Sequence, residues 1–185
     1  DGRIFTWGQN YDGQLGNGSS QDSYIPVEIT HKFYLNSESG ECINQISLGD
    51  KHTSALTSKG RVFTWGSNYY GQLGSGGMVN IYTPVHITDL FWLDKVNGEV
   101  ITQISLGGLH SSAITSKGRV FTWGQNNFGQ LGNNLQYSQG FPVDITGNFE
   151  LNTNENISQI SLGFSYSAAI TSEGRIFTWG ENGNG

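Results

Sequence analysis

The heptapeptide Gly-Arg-Ile/Val-Phe-Thr-Trp-Gly occurs four times in this chain of 185 residues, beginning at Gly2, Gly60, Gly118 and Gly174. The starting points are 58, 58 and 56 residues apart, and the first two intervals are identical at 34 of 58 positions. Self-similarity at a fixed period of this size is typical of propellers and solenoids, whose units are stable only beside their neighbours. The sequence therefore predicts one array of repeats over residues 1–185, with units 2–59, 60–117 and 118–173 and a partial unit 174–185.

Each unit contains several short runs of strand-forming residues, and none contains a sustained helical period. In the second unit, Arg61–Trp65 is rich in β-branched and aromatic residues, and Pro84–Thr88 and Ile101–Leu106 alternate in polarity. A Ser-Lys/Glu-Gly turn leads into the heptapeptide and indicates a hairpin with the strand before it, such as His110–Thr115. We expect the prolines to stand first in their strands, where no ladder hydrogen bond is lost: Pro26, Pro84 and Pro142.

Four strands per unit predict an all-β chain, a β-propeller built of four-stranded antiparallel blades, here about three blades plus a strand stub. A solenoid of β-coils is the alternative, but such solenoids usually have shorter periods. Since three blades are fewer than the smallest usual ring, we expect additional repeats in a longer chain or self-association through exposed strand edges. The repeated tryptophans are expected to occupy equivalent sites: Trp7, Trp65, Trp123 and Trp179.

Residue types that support catalysis or metal binding occur without a matching pattern. His52 and His110 share a repeat position, one unit apart, which is not the local spacing of zinc ligands. We expect both to be buried and bonded to backbone, and His31 and His86 to lie on the surface. Cys42 is the single cysteine, and the chain contains neither a Gly-x-Ser-x-Gly elbow nor a Walker sequence. The sequence therefore predicts no catalytic residue, metal site or cofactor, and we expect no enzymatic activity.

The charge distribution bears on partners. The net charge is −6, and nine Lys and Arg residues are spread along the chain. Because there is no basic stripe, we expect no direct nucleic-acid binding from this segment. No apolar run approaches the ~18 residues of a membrane span, so we expect no membrane partner. The chain shows no signal-peptide or targeting motif, and its localisation is left unassigned.

Two long motifs carry a family resemblance. The segment Gly118–Gly132, Gly-Arg-Val-Phe-Thr-Trp-Gly-Gln-Asn-Asn-Phe-Gly-Gln-Leu-Gly, resembles the regulator of chromosome condensation repeat, as does Gln103–Thr115. The resemblance covers essentially the whole chain and implies that these blades are part of a seven-bladed ring. It implies several functions, because the family includes an exchange factor for the small GTPase Ran that also docks on nucleosomes, a plant photoreceptor and ubiquitin-ligase domains. In style, the sequence is most similar to the bacterial members.

Function is sought where the copies differ, because residues present in every unit serve the architecture. Variable, aromatic-rich loops on a constant frame are typical of a binding surface, since Tyr and Trp dominate interface hot spots. We interpret the chain as a non-enzymatic protein–protein interaction module with another protein as its partner. The alternative is a guanine-nucleotide exchange factor for a small GTPase. Tyr34 shares a position with one of the candidate binding residues, Trp92, and the full candidate set is Tyr11, Asp12, Tyr69, Tyr70, Asn127, Phe128 and Trp92.

Overall fold

The computed structural model describes residues 2–183, which form four antiparallel sheets connected in chain order. Sheet A contains β1 (Phe5–Gly8) and β2 (Ser23–Glu28). Sheet B contains β3 (Ile43–Leu48), β4 (His52–Thr57), β5 (Val62–Gly66) and β6 (Ile81–His86). Sheet C contains β7 (Ile101–Leu106), β8 (His110–Thr115), β9 (Val120–Gly124) and β10 (Gln139–Asp144). Sheet D contains β11 (Ile157–Leu162), β12 (Tyr166–Thr171) and β13 (Ile176–Gly180).

The arrangement confirms the predicted propeller blades. Strands follow one another from the inner to the outer edge in sheets B and C, and the inner strands β3, β7 and β11 pack side by side. Sequence repeats and blades are out of phase. Unit 60–117 supplies β5 and β6 to sheet B and then β7 and β8 to sheet C. Each repeat therefore joins two neighbouring blades covalently.

Side-chain amides fix the register between inner strands. Gln45 donates from Nε2 to the Ile104 carbonyl at 2.8 Å, and its Oε1 accepts from the Ile104 N–H at 3.1 Å. Gln103 makes the same pair of bonds with Ile160 at 3.1 and 3.4 Å. Each amide thereby bonds a backbone N–H and C=O of an inner strand, at the edge where no neighbouring strand of the described residues pairs with them.

Short 3-10 helices occupy the crossovers between blades, and the sequence did not predict them because they are too short to show a helical period. The Phe that ends the first 3-10 helix of each crossover is buried; Phe91 packs edge-on against Phe121 and Trp123, with ring centroids 5.3 and 5.4 Å apart. This Phe connects the crossover to the blade core. The helices span Thr30–Phe33, Ser37–Ser39, Thr88–Phe91, Lys95–Asn97 and Thr146–Phe149.

The expected position of the prolines is wrong. Pro26, Pro84 and Pro142 lie at the fourth position of β2, β6 and β10 instead of the first. Each of these strands is the outermost of its sheet, and each pairs with its neighbour through an irregular register in this region. Proline is tolerated there because an edge strand at a bulge has positions without a ladder bond.

A tryptophan on one blade docks on the Gly-Gln-Leu-Gly segment of the preceding blade. Trp123 is fully buried, and its Nε1 donates to the Gln72 carbonyl at 2.9 Å. The Ser111 hydroxyl donates to the same carbonyl at 2.8 Å. Trp65 and Trp179 repeat the indole bond with Gln14 and Gln130, each at 2.9 Å.

Trp7 does not share this environment, so the expectation that the four tryptophans occupy equivalent sites is wrong for Trp7. Its side chain is 61% exposed, whereas Trp65 and Trp123 are 0% exposed. All four occupy the same strand position, but only the later three have a preceding Gly-Gln-Leu-Gly segment among the described residues. Burial of this tryptophan therefore depends on the neighbouring blade.

Candidate functional site

The strand directions divide the molecule into two faces. Strand β5 runs from Val62 to Gly66 and β6 returns, so their long connection lies at one end of the sheet and the β4–β5 turn at the other. We call the first end the loop face; it carries connections 9–22, 67–80 and 125–138 and inner turns 49–51, 107–109 and 163–165. The opposite end, the hairpin face, carries turns 58–61, 116–119 and 172–175 and crossovers 29–42, 87–100 and 145–156.

Most of the predicted binding residues lie on the loop face. Tyr11, Tyr69 and Phe128 are 75%, 65% and 50% exposed. Asn127 is also exposed, and Tyr70 is half-buried. Tyr11, Tyr69 and Asn127 occupy one repeat position, and Tyr70 and Phe128 follow it directly, so successive blades present them at the same level.

Asp12 differs from its expected place on the binding surface. It is buried, and its Oδ1 accepts a hydrogen bond at 3.0 Å from Nδ2 of Asn80, which belongs to the connection of the next blade. The Lys51 ammonium lies 3.8 Å from its other oxygen. Asp12 therefore ties neighbouring loops together instead of facing solvent.

Trp92 lies on the hairpin face, away from the other six candidates. It is 86% exposed and follows the 3-10 helix Thr88–Phe91 in the left-handed conformation, with φ of 50°. Tyr34 and Glu150 hold the same conformation in the other crossovers, with φ of 46° and 45°. Because Glu150 serves equally well, the frame does not require an aromatic residue at this position.

A repeated asparagine makes the loop-face connections rigid, a role that the sequence analysis missed. Asn68 Oδ1 accepts from the Leu73 N–H at 3.0 Å, and its Nδ2 donates to the Gly77 carbonyl at 2.8 Å. Asn10 and Asn126 make the equivalent bonds in their own loops. The signal was present in the sequence, since the asparagine recurs two residues after each Trp-Gly pair.

Charge is distributed unequally between the two faces, which the linear sequence does not show. Of the charged residues that the structure describes, eighteen lie on the hairpin face and five on the loop face: Asp12, Asp22, Asp50, Lys51 and Glu181. The other described side chains of the loop face are uncharged. The exposed large hydrophobic ones include Tyr11, Tyr69, Met78, Val79, Phe128, Tyr137 and Phe164.

The charges of the hairpin face are largely paired with one another. Arg61 and Arg175 bind Glu41 and Glu155 through two nitrogens each, at 2.7 to 2.9 Å. The arginine hydrogen bonds lower the pKa of Glu41 to about 2 and that of Glu155 to about 2. Arg119 bridges Glu99 and Asp144 at 3.0 and 2.8 Å. These pairs join each crossover to its hairpin turn.

Two buried histidines cross blade boundaries. His52 Nε2 lies 2.9 Å from the Ser111 hydroxyl oxygen, and His110 Nε2 lies 3.0 Å from that of Ser167. Both histidines are buried, as predicted. The hydrogen-bond partner of Nε2 is, however, a serine hydroxyl and not the predicted backbone group. Burial lowers the pKa of His52 to about 3 and that of His110 to about 4. Because these histidines and serines are all buried, a substrate cannot reach either contact.

Residues 2–183 contain no group of three or more His, Cys, Asp or Glu residues placed to hold a metal ion. No helix within them is both long and apolar enough to cross a membrane.

Sequential antiparallel blades, Trp-mediated docking between blades and a face of variable loops define a propeller array. The regulator of chromosome condensation (RCC1) repeat matches residues 1–56, 59–114 and 117–170, and a second form of it matches 43–72, 101–130 and 157–185. The chain therefore belongs to the RCC1 repeat family.

Curated relatives span several kinds of protein. The chain is 31% identical over 185 residues to the ultraviolet-B receptor UVR8 of Arabidopsis thaliana, covering 100% of the chain and 38% of the relative. It is 33% identical over 183 residues to the E3 ubiquitin-protein ligase HERC2 of Homo sapiens, covering 98% of the chain and 4% of the relative. The chain thus spans well under half the length of these relatives.

Solved structures agree with the fold. The yeast RCC1 protein Prp20, solved with Kap60 bound, superposes with a TM-score of 0.79 at 25% identity, over 98% of this chain and 41% of that one. Human WBSCR16 superposes with a TM-score of 0.77 at 27% identity, over 98% of this chain and 44% of that one. The likeness to Prp20 supports the arrangement of the four sheets as adjacent blades of an RCC1-type propeller.

Proposed function

We propose that this chain is a non-enzymatic protein-binding module that docks through its loop face. The observation that carries the proposal is the unequal charge: five of the described charged residues lie on this face, one of them the buried Asp12, among exposed aromatic and aliphatic side chains. Interface cores are depleted in charged residues and enriched in aromatic residues and Met. The loop face has this composition and the hairpin face does not.

Energetics favour the same face. Burying a charge that gains no partner is costly, whereas burying exposed aromatic surface is favourable. Tyr11, Tyr69 and Phe128 already stand in loops fixed by the asparagine bonds, so docking orders few additional residues. The partner surface is accordingly expected to be uncharged and apolar in its centre.

The alternative is guanine-nucleotide exchange on a small GTPase. The observation that favours it is the likeness to Prp20, whose structure is described together with its binding properties to Gsp1p and histones. That binding belongs to Prp20, and this chain spans 42% of that protein. Exchange activity is therefore the second candidate.

The primary proposal is tested by comparing what wild-type and variant chains capture from an extract. The loop-face variant carries Tyr11→Ser, Tyr69→Ser and Phe128→Ser. The matched control carries Tyr34→Ser, Trp92→Ser and Val96→Ser, which are exposed residues of the hairpin face. We expect the loop-face variant to lose the captured protein, the control to retain it, and capture to persist from about 0.05 to about 0.5 M salt.

Loss of capture in the control alone would move the binding surface to the hairpin face around Trp92. Loss on raising the salt would contradict an apolar interface. Release of labelled GDP from the purified small GTPase Ran, measured with and without the chain, tests the alternative. A catalytic increase in release, abolished by the loop-face variant, would replace the primary proposal with exchange.

A further inference from the structure

One blade lacks an ion pair that its neighbours make at the outer edge of the hairpin face. In sheet A, Arg3 binds Glu28 at 2.6 Å, and in sheet C, Arg119 binds Asp144 at 2.8 Å. Both carboxylates end an outermost strand at one register position, opposite Phe5 and Phe121. The residue at this position in sheet B is His86, opposite Phe63.

The substitution leaves Arg61 without the outer-strand carboxylate that its counterparts bind. Nε and Nη2 of Arg61 bind Glu41, and Nη1 makes no hydrogen bond to the residues that the structure describes. The His86 ring lies against Phe63, with centroids 5.3 Å apart, and is exposed on its outer side.

A cavity of about 350 Å³ opens beside these two side chains. Lys59, Lys95 and the aliphatic side chains of Leu93 and Val100 complete its wall. Of the two acids in the wall, Asp89 binds Lys95 at 2.6 Å. Glu99 is buried, with Oε2 bound to Arg119 at 3.0 Å and with no hydrogen-bond partner for Oε1 in the described part of the chain. Lys59 forms no ion pair within the described part of the chain.

We propose that this pocket, formed by Lys59, Arg61, His86 and Lys95, binds a carboxylate group of a partner protein. The copies in sheets A and C show the chemistry directly, because there a carboxylate of the chain itself meets the same arginine. A monoanion suits the pocket better than a phosphate dianion, because Asp89 and Glu99 limit its positive charge. The apolar wall accommodates the carbon chain that carries the carboxylate.

The site lies on the hairpin face, so it is independent of the loop-face proposal, and the two can fail separately. The decisive variant is His86→Asp. It introduces the residue found at this register position in sheet C, Asp144, so that a carboxylate of the chain itself occupies the site. The matched control is His31→Asp, which adds the same charge at an exposed position of the hairpin face outside the pocket. Thermal melting by circular dichroism should show His86→Asp to be at least as stable as wild type, since the new carboxylate regains the ion pair with Arg61.

Binding is measured by NMR, following the Arg61 Nε–H and the Lys59 ammonium group during titration with sodium acetate at constant ionic strength. N-acetyl-leucine and N-acetyl-glutamate amide then distinguish a chain-terminal carboxylate from a side-chain one. We expect saturable shifts in wild type and His31→Asp, and roughly ten- to hundredfold weaker binding in His86→Asp.

Saturation by either acetylated compound supports the site and identifies the source of the carboxylate. Equal affinity in wild type and His86→Asp overturns the proposal, as does the absence of saturable shifts with all three carboxylates. Tighter binding of inorganic phosphate than of any carboxylate overturns the assignment of the ligand.

Discussion

Docking of a tryptophan on the preceding blade should account for a large share of the stability, and the chain contains its own control. Trp123→Ala removes a fully buried indole that packs against Phe91 and donates to the Gln72 carbonyl. Truncation of a buried aromatic costs about 3–5 kcal/mol. The Gln72 carbonyl retains the Ser111 hydroxyl at 2.8 Å, so no unsatisfied acceptor adds to this loss. Trp7→Ala removes the same residue from the same strand position where it is 61% exposed, and should cost less than about 1 kcal/mol.

Both variants are measured by urea denaturation followed by far-ultraviolet circular dichroism, which does not depend on the removed fluorophore. The midpoint for Trp123→Ala should fall well below that for Trp7→Ala. Equal losses would refute the reasoning, because they would place the contribution of this tryptophan within its own strand. A loss below about 1 kcal/mol for Trp123→Ala would contradict the burial argument in the same way.

The remaining predictions concern a glycine that contacts the docked tryptophan and the two buried histidines at the boundaries between blades. Gly74→Ala should destabilise by about 2–4 kcal/mol, because residue 74 has φ of +69° and a Cβ would lie 2.8 Å from Trp123 Nε1. Gly129→Ala, at φ of +74° with no atom of the described residues within 4 Å of its Cβ, should cost about 1–2 kcal/mol, and equal costs would contradict the role of the contact. Below pH 6.5, where an unfolded imidazole begins to bind protons and the folded ones do not, stability should fall by about 2 kcal/mol per buried histidine down to pH 5. Urea midpoints across this pH range check the expectation. The range lies above the pH at which most carboxylates titrate, so the double variant His52→Gln/His110→Gln should show a weaker dependence of stability on pH.

Much of the fold could be predicted because the repeat fixes it several times over. The strand Ile101–Leu106 and the turn before Gly60 are as expected, since alternation and turn chemistry are local properties. The place of Pro84 was not predicted, because a register irregularity depends on the partner strand. The exposure of Trp7 was not predicted either, because burial there depends on another blade. Sequence position likewise gave no indication that Trp92 and Tyr69 lie on opposite faces.

Comparison of the copies separates what the frame needs from what it tolerates. Glu150 takes the backbone conformation of Trp92, so the fold does not explain an indole that is 86% exposed. His86 takes the register position of Glu28 and Asp144, so the fold does not explain the loss of an ion pair beside Arg61. In contrast, Trp65, Trp123 and Trp179 repeat one contact with the preceding blade, and a change at any of them disrupts the boundary between blades. A residue that departs from its copies while the backbone conformation stays the same is one that the frame does not require. Binding is therefore tested first at exposed side chains that the frame does not require, which are Tyr11, Tyr69 and Phe128 on the loop face and His86 on the hairpin face.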